Sequence, residues 1–93
     1  VRLSGEYKDT FGRKDVMTVT TLSFTGAGLE AGHNTPSIAM GDTIRLSFLL
    51  NDVNNTWIKT KAIVRRVNGN RIGVEFVGLD DHQQKCLGFY LMP

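Results

Sequence analysis

The feature that most constrains this chain is a strict two-residue alternation. Ile44, Leu46, Phe48 and Leu50 are apolar, and Arg45 and Ser47 stand between them. Successive side chains of a strand point to opposite faces, so such a run buries one face and wets the other. Residues 56–67 repeat the pattern, with Ile58, Ala62 and Val64 on one side and Lys59, Lys61 and Arg65 on the other. Residues 71–77 set Ile72, Val74 and Phe76 against Arg71 and Glu75. Asn68-Gly69-Asn70 lies between these two runs, and Asn-Gly tolerates the positive φ angles of tight hairpin turns. Residues 56–77 are therefore predicted as a β-hairpin.

Upstream the pattern is weaker. Residues 2–8 read as a first strand, and residues 9–15, polar and carrying Gly12, as a turn. Residues 16–22 are rich in β-branched side chains and read as a second strand. Ser23-Phe24-Thr25-Gly26 interrupts it, and residues 27–30 form a brief third strand. Residues 31–40 hold Gly32, Asn34, Pro36 and Ser37 and read as a loop. Gly41-Asp42 is a turn into Ile44. At the far end Asp80 is a helix cap, and Gln83 completes a capping-box-like pair. Cys86, Leu87, Tyr90 and Leu91 then recur at helical spacing. Six short strands and one terminal helix predict a mainly β fold, a small antiparallel β-barrel or a sandwich.

Composition narrows the function classes. A length of 93 residues predicts a single domain over residues 1–93. The first residue is Val1, so the expectation is a domain excised from a longer chain. Hydrophobic residues at 41% and charged residues at 22% exclude a disordered chain. A net charge of +2 is too small for a dedicated polyanion binder, so nucleic acid is not the expected partner. The single cysteine, Cys86, has no internal disulfide partner and points to a reducing, cytoplasmic compartment. No apolar run approaches the roughly 20 residues of a membrane span, and no signal peptide is visible.

Catalytic constellations are sparse, and an enzyme is the least supported class. Cys86 has no nearby candidate base and reads as a buried small hydrophobe. His33 and His82 lie far apart without a cysteine partner, so no metal site or cofactor is expected. Asp80-Asp81 fits helix capping and the helix dipole. The sequon Asn54-Asn55-Thr56 is incidental in a reducing compartment. Two binding features remain. In Thr21-Leu22-Ser23-Phe24-Thr25-Gly26 a strand ends in a hydroxyl and a glycine. Such a corner brings backbone N–H groups and Ser23 close to a phosphate or a base edge. The plainer reading is an ordinary corner with Gly26 at positive φ. The second feature is the basic set Arg2, Arg45, Lys59, Lys61, Arg65, Arg66 and Arg71. Lys59, Lys61 and Arg65 share a face with Trp57 and Ile63, a surface on which a nucleotide or single strand can lie. Its plainer reading is a solvated barrel exterior whose lysines guard a strand from edge pairing.

Together these pieces resemble the PilZ domains of bacteria. That family has a six-stranded β-barrel followed by a helix, and its ligand signature is RxxxR followed at a distance by (D/N)xSxxG. Ser23 and Gly26 match the second motif, and Ala27-Gly28-Leu29 resembles its continuation. Residues 41–48 and the run Arg71-Ile72-Gly73-Val74-Glu75-Phe76 resemble the family's middle and last strands. The resemblance covers nearly the whole chain. It implies a receptor for cyclic di-GMP that passes a conformational change to a neighbouring domain or partner protein, with Arg2, Thr21, Ser23, Gly26 and Gly73 as ligand residues. In that reading arginines grip phosphates or a guanine edge and stack on the base. An arginine-bearing N-terminal segment then folds over the ligand.

Two positions depart from the signature. Arg2 stands 19 residues before Thr21 and best matches the second arginine, which puts the first before Val1. The other alignment makes Arg2 the first arginine and puts Glu6 at the second. Arg13-Lys14 stands too close to Thr21 to substitute. Thr21 itself occupies the Asp/Asn position, where a lost bidentate base contact costs about 1–3 kcal/mol. The alternative is a PilZ-like module that no longer binds cyclic di-GMP and acts through protein–protein contacts.

Overall fold

The computed structural model describes residues 1–32 and 38–92. His33, and Asn34, Pro36 and Ser37 of the predicted loop, lie outside the described residues. Six strands precede one helix: β1 (Leu3–Lys8), β2 (Lys14–Leu22), β3 (Gly26–Ala31), β4 (Thr43–Leu49), β5 (Trp57–Asn68), β6 (Arg71–Val77) and α1 (Asp81–Leu91). Every neighbouring pair is antiparallel, in the order β1-β2-β3-β6-β5-β4, and β4 pairs back onto β1. That last pairing decides for a closed barrel over a sandwich.

The alternation reads through to the core. Ile44, Leu46, Phe48 and Leu50 are buried, as are Ile58, Ala62, Val64, Ile72 and Val74. Inside, the rings of Phe48 and Phe76 stack with centroids 6.2 Å apart. Each large apolar side chain buried in this way contributes roughly 1.5–3 kcal/mol.

Local chemistry shifts several predicted boundaries. The first turn is shorter than residues 9–15, because Lys14 and Asp15 already pair with Lys8 and Tyr7. Asp9 closes it: one carboxylate oxygen accepts the N–H groups of Phe11 and Arg13, both at 2.9 Å. The β5–β6 loop is Gly69-Asn70, since Asn68 still pairs with Arg71. Gly69 alone carries the positive φ there, at 64°, the pattern of a turn with glycine first. In the β4–β5 loop Asp52 accepts the N–H and the hydroxyl of Thr56, at 3.0 and 2.9 Å. Those bonds, the backbone one first, hold its carboxyl below the ordinary aspartate range.

At α1 the capping prediction is half right. The Asp80 carboxylate accepts the Gln83 N–H at 2.7 Å. The Gln83 side chain does not reach back to close a capping box; its Oε1 accepts the backbone N–H of Lys59. The helix is thereby tied to β5 beyond the point where β6 ends. Leu87 anchors it in the core, and Cys86, Tyr90 and Leu91 pack partly against it. No helix among the described residues is long and apolar enough to cross a membrane.

One core group predicts a pH dependence. Tyr7 is 4% exposed, and its hydroxyl donates to Asp15 Oδ2 at 3.5 Å. Burial, and then the Asp15 carboxylate, push its pKa above the ordinary 10.0. In the unfolded chain this phenol ionises at a pH where the folded chain still holds its proton. Its contribution is therefore intact below pH 10 and lost as the pH rises through the folded value. Denaturant titrations from about pH 8 to about pH 11 should show the wild type losing stability faster than Tyr7→Phe at the alkaline end. Parallel curves would show that Tyr7 has no such role.

Candidate functional site

The outer wall over β3 is nearly bare. Of its outward positions Gly26, Gly28 and Glu30, only the last carries a side chain, while Ala27 and Leu29 point into the core. Gly28 lies in one cross-strand row with Thr21 of β2, Gly73 of β6 and Arg66 of β5. Adjacent strands lie about 4.8 Å apart, so this row spans roughly 14 Å, with a hydroxyl at one end, a guanidinium at the other and no side chain between. The result is a trough of about 750 Å³, bordered by Thr21, Ser23, Arg65, Arg66 and Glu75. Its size falls in the range of small-molecule sites, roughly 300–1,000 Å³.

Two bulges shape the rims. In β5 the register shifts between Val64 and Arg66, so Arg65 and Arg66 are both exposed while Val64 is buried and Val67 packs against the core. In β2 the shift lies between Val19 and Thr21. An extra residue in one strand re-aims side chains in this way. Arg65 Nε meets Glu75 Oε1 at 3.2 Å across the trough's edge.

The corner at Ser23 is held by its own hydroxyl. Ser23 Oγ accepts the N–H groups of Thr25 and Gly26, at 3.3 and 3.2 Å, and is 3.2 Å from the Gly26 carbonyl, to which it can donate. The Ser23 N–H donates to the same carbonyl at 2.9 Å. The N–H groups of Thr25 and Gly26 that a nest would turn toward a phosphate are thus spent inside the turn. Gly26 does not have a positive φ, which corrects the plainer reading of this corner. It is glycine because an added Cβ would fall on the Val74 carbonyl oxygen. At Gly73 a Cβ would meet only the Arg66 Cβ, at 3.4 Å.

Thr21, Ser23, Gly26 and Gly73 therefore share one trough. Arg2 lines the adjoining depression, which shares Gly28, Arg66 and Gly73 with it. Sequence reasoning missed Gly28 and the site positions of Arg65 and Arg66. The signal was present in Val19-Thr20-Thr21-Leu22 and Val64-Arg65-Arg66-Val67. Two polar residues between two apolar ones, inside a two-residue alternation, mark a bulge.

Other candidates are placed differently. The lysines of β5 guard no edge, because β5 is paired on both sides, with β4 and β6. Cys86 is half-buried, and its Sγ lies 3.6 Å from His82 Nε2 one helical turn back, so it does have a nearby base.

With this geometry in place, the family comparison is decisive: the model of the PilZ domain matches residues 1–92. The chain belongs to the PilZ domain family. Among curated proteins none matches it. The PilZ barrel and its C-terminal helix account for all seven elements described above.

Two glycines of this PilZ domain should respond oppositely to alanine. Gly26→Ala forces a Cβ onto backbone and should lower stability by about 1–3 kcal/mol. Gly73→Ala should stay within about 1 kcal/mol of wild type, because the strand gains a better residue where there is room. Urea denaturation of both variants gives the comparison, and equal losses would refute the steric assignment.

Proposed function

We propose that this domain is a bacterial cytoplasmic receptor for cyclic di-GMP, with the ligand seated in the glycine-floored trough. The observation that carries this reading is the row Thr21–Gly28–Gly73–Arg66. A floor without side chains lets a flat base lie against the backbone. Guanidinium groups along one rim suit two phosphates or a guanine edge, where bidentate contacts are strongest. Arg65 and Arg66 take this part on the trough's own wall, and Arg2, just before β1, joins them from the adjoining depression when it closes over the ligand. Thr21 meets the ligand at the opposite rim, through one hydroxyl where family members place a carboxylate or amide.

The Arg65–Glu75 pair is part of the mechanism. An arriving phosphate competes with Glu75 for the guanidinium, so part of the binding energy goes into opening that pair. Arg2 lies outside the barrel's first strand, and closing it over the ligand changes the surface offered to a neighbouring domain or partner. The size of that output is set by the difference in ligand affinity between the open and closed arrangements.

Calorimetric titration of cyclic di-GMP into the 93-residue chain tests the reading. Binding in the micromolar range, near −8 kcal/mol, is expected. Arg66→Ala should weaken it roughly tenfold or more, the loss of a charge-assisted contact worth about 1.5–3 kcal/mol. Arg2→Ala should do the same. Glu75→Gln should tighten it by releasing Arg65, and Thr21→Asn by restoring a second polar atom. No heat at about 100 μM ligand, with the fold intact, would sink the receptor reading. Thr21 at the Asp/Asn position favours the second reading, a PilZ module that acts on a protein partner without the nucleotide, and calorimetric silence is what that reading expects.

A further inference from the structure

Four cations stand in one row on the outer wall of the barrel. Lys14 of β2 pairs with Lys8 of β1, Lys8 with Arg45 of β4, and Arg45 with Lys61 of β5. At about 4.8 Å per strand the row spans roughly 14 Å. All four side chains are exposed, and none makes an ion pair with another described residue. Like charges directly opposite one another destabilise a sheet, so the row works against the fold. Lysines in strands often block edge pairing. Here every strand of the row has a partner on both sides, and there is no edge to block.

A second outward row runs beside it: Glu6, Ser47 and Lys59. The two rows border one groove of about 550 Å³. It lies on the β1–β4–β5 wall, apart from the glycine trough over β3 and β6.

We infer that this groove binds an extended acidic segment of a partner protein. The cation row, roughly 14 Å long, meets the carboxylates of alternate residues over about five residues of the segment. Glu6 and Ser47, in the next row, accept hydrogen bonds from the segment's backbone N–H groups. A phosphodiester backbone has no N–H donors, so its repulsion from Glu6 goes uncompensated. Single-stranded nucleic acid is held by aromatic rings on which bases stack. The aromatic side chain at this groove is Tyr7, which is 4% exposed. Trp57 is 52% exposed but does not line the groove. Charge and hydrogen-bonding pattern together select a peptide. Binding here does not depend on a nucleotide in the trough.

The probe is a fluorescein-labelled octapeptide of alternating aspartate and serine, followed by anisotropy as the chain is added. Saturable binding is expected at low salt. It should weaken roughly tenfold or more between about 50 and about 500 mM salt, as the screening length shortens. The triple variant Lys8→Ser, Arg45→Ser, Lys61→Ser should lose affinity by a similar factor, while its denaturation midpoint stays level or rises. The pair Lys8→Arg, Lys61→Arg should keep affinity within about twofold, because charge is preserved. Replacing the probe's aspartates with asparagine should abolish binding. The inference is overturned if the peptide fails to bind at about 1 mM chain, if the triple variant binds as well as wild type, or if an oligothymidylate of equal charge binds more tightly through the same cations.

Discussion

The pairing of β1 with β4 is the contact on which the rest depends. Residues 5–8 meet residues 45–48 across some forty residues of chain, and that ladder turns a row of strands into a closed barrel. Closure satisfies the backbone of every strand without an edge. It also makes inside and outside absolute. A one-residue slip at any pairing would carry the core set of that strand to the solvent. With the registers locked, residues remote in sequence are forced into rows. Thr21, Gly28, Gly73 and Arg66 become neighbours in this way, and so do Lys14, Lys8, Arg45 and Lys61.

The alternation fails at two places among the strands, and both border the trough. A regular β5 that buries Val64 would turn Arg66 inward and Val67 outward. The bulge keeps Val67 against the core and turns both arginines out. The bulge in β2 does the same for Thr20 and Thr21, with Leu22 returning to the core. Each bulge loosens the local ladder. The two losses fall on opposite sides of one glycine floor, where they turn Thr20, Thr21, Arg65 and Arg66 outward together.

Much of this was legible in advance. Where one face is buried, local pattern sets the strand, and β4, β5 and β6 were readable from Ile44–Leu50 and the hairpin that follows. The corner at Ser23 was readable only as a corner: neither the free N–H groups nor the positive φ at Gly26 is there. The cross-strand rows were not. Register between β3 and β6, or β1 and β4, is set by closure and by packing of the whole core, and no local window contains it. Gly26 shows the same limit. Its need for glycine comes from the Val74 carbonyl, nearly fifty residues away in sequence. The His82–Cys86 contact, by contrast, lies at helical i, i+4 spacing and was open to reading.

The near-neutral composition concealed the basic wall for a definite reason. Several of the acids are used where they stand. Asp9 accepts turn amides and meets Arg13. Asp42 accepts the Ala39 N–H, Asp52 holds Thr56, Asp80 caps α1 and Glu75 faces Arg65. These carboxylates lock turns, a helix end and one rim of the trough. Their charge is spent locally, within a few ångströms of the groups they hold. Lys8, Arg45 and Lys61 share a depression with Asp9, while Asp42, Asp52, Asp80 and Glu75 form no ion pair with the row. A net charge of +2 therefore sums several acids held against turns, a helix end and two arginines with a row of four cations that has no ion-pair partner among the described residues. That row is the part of the charge that the proposed acidic segment would meet.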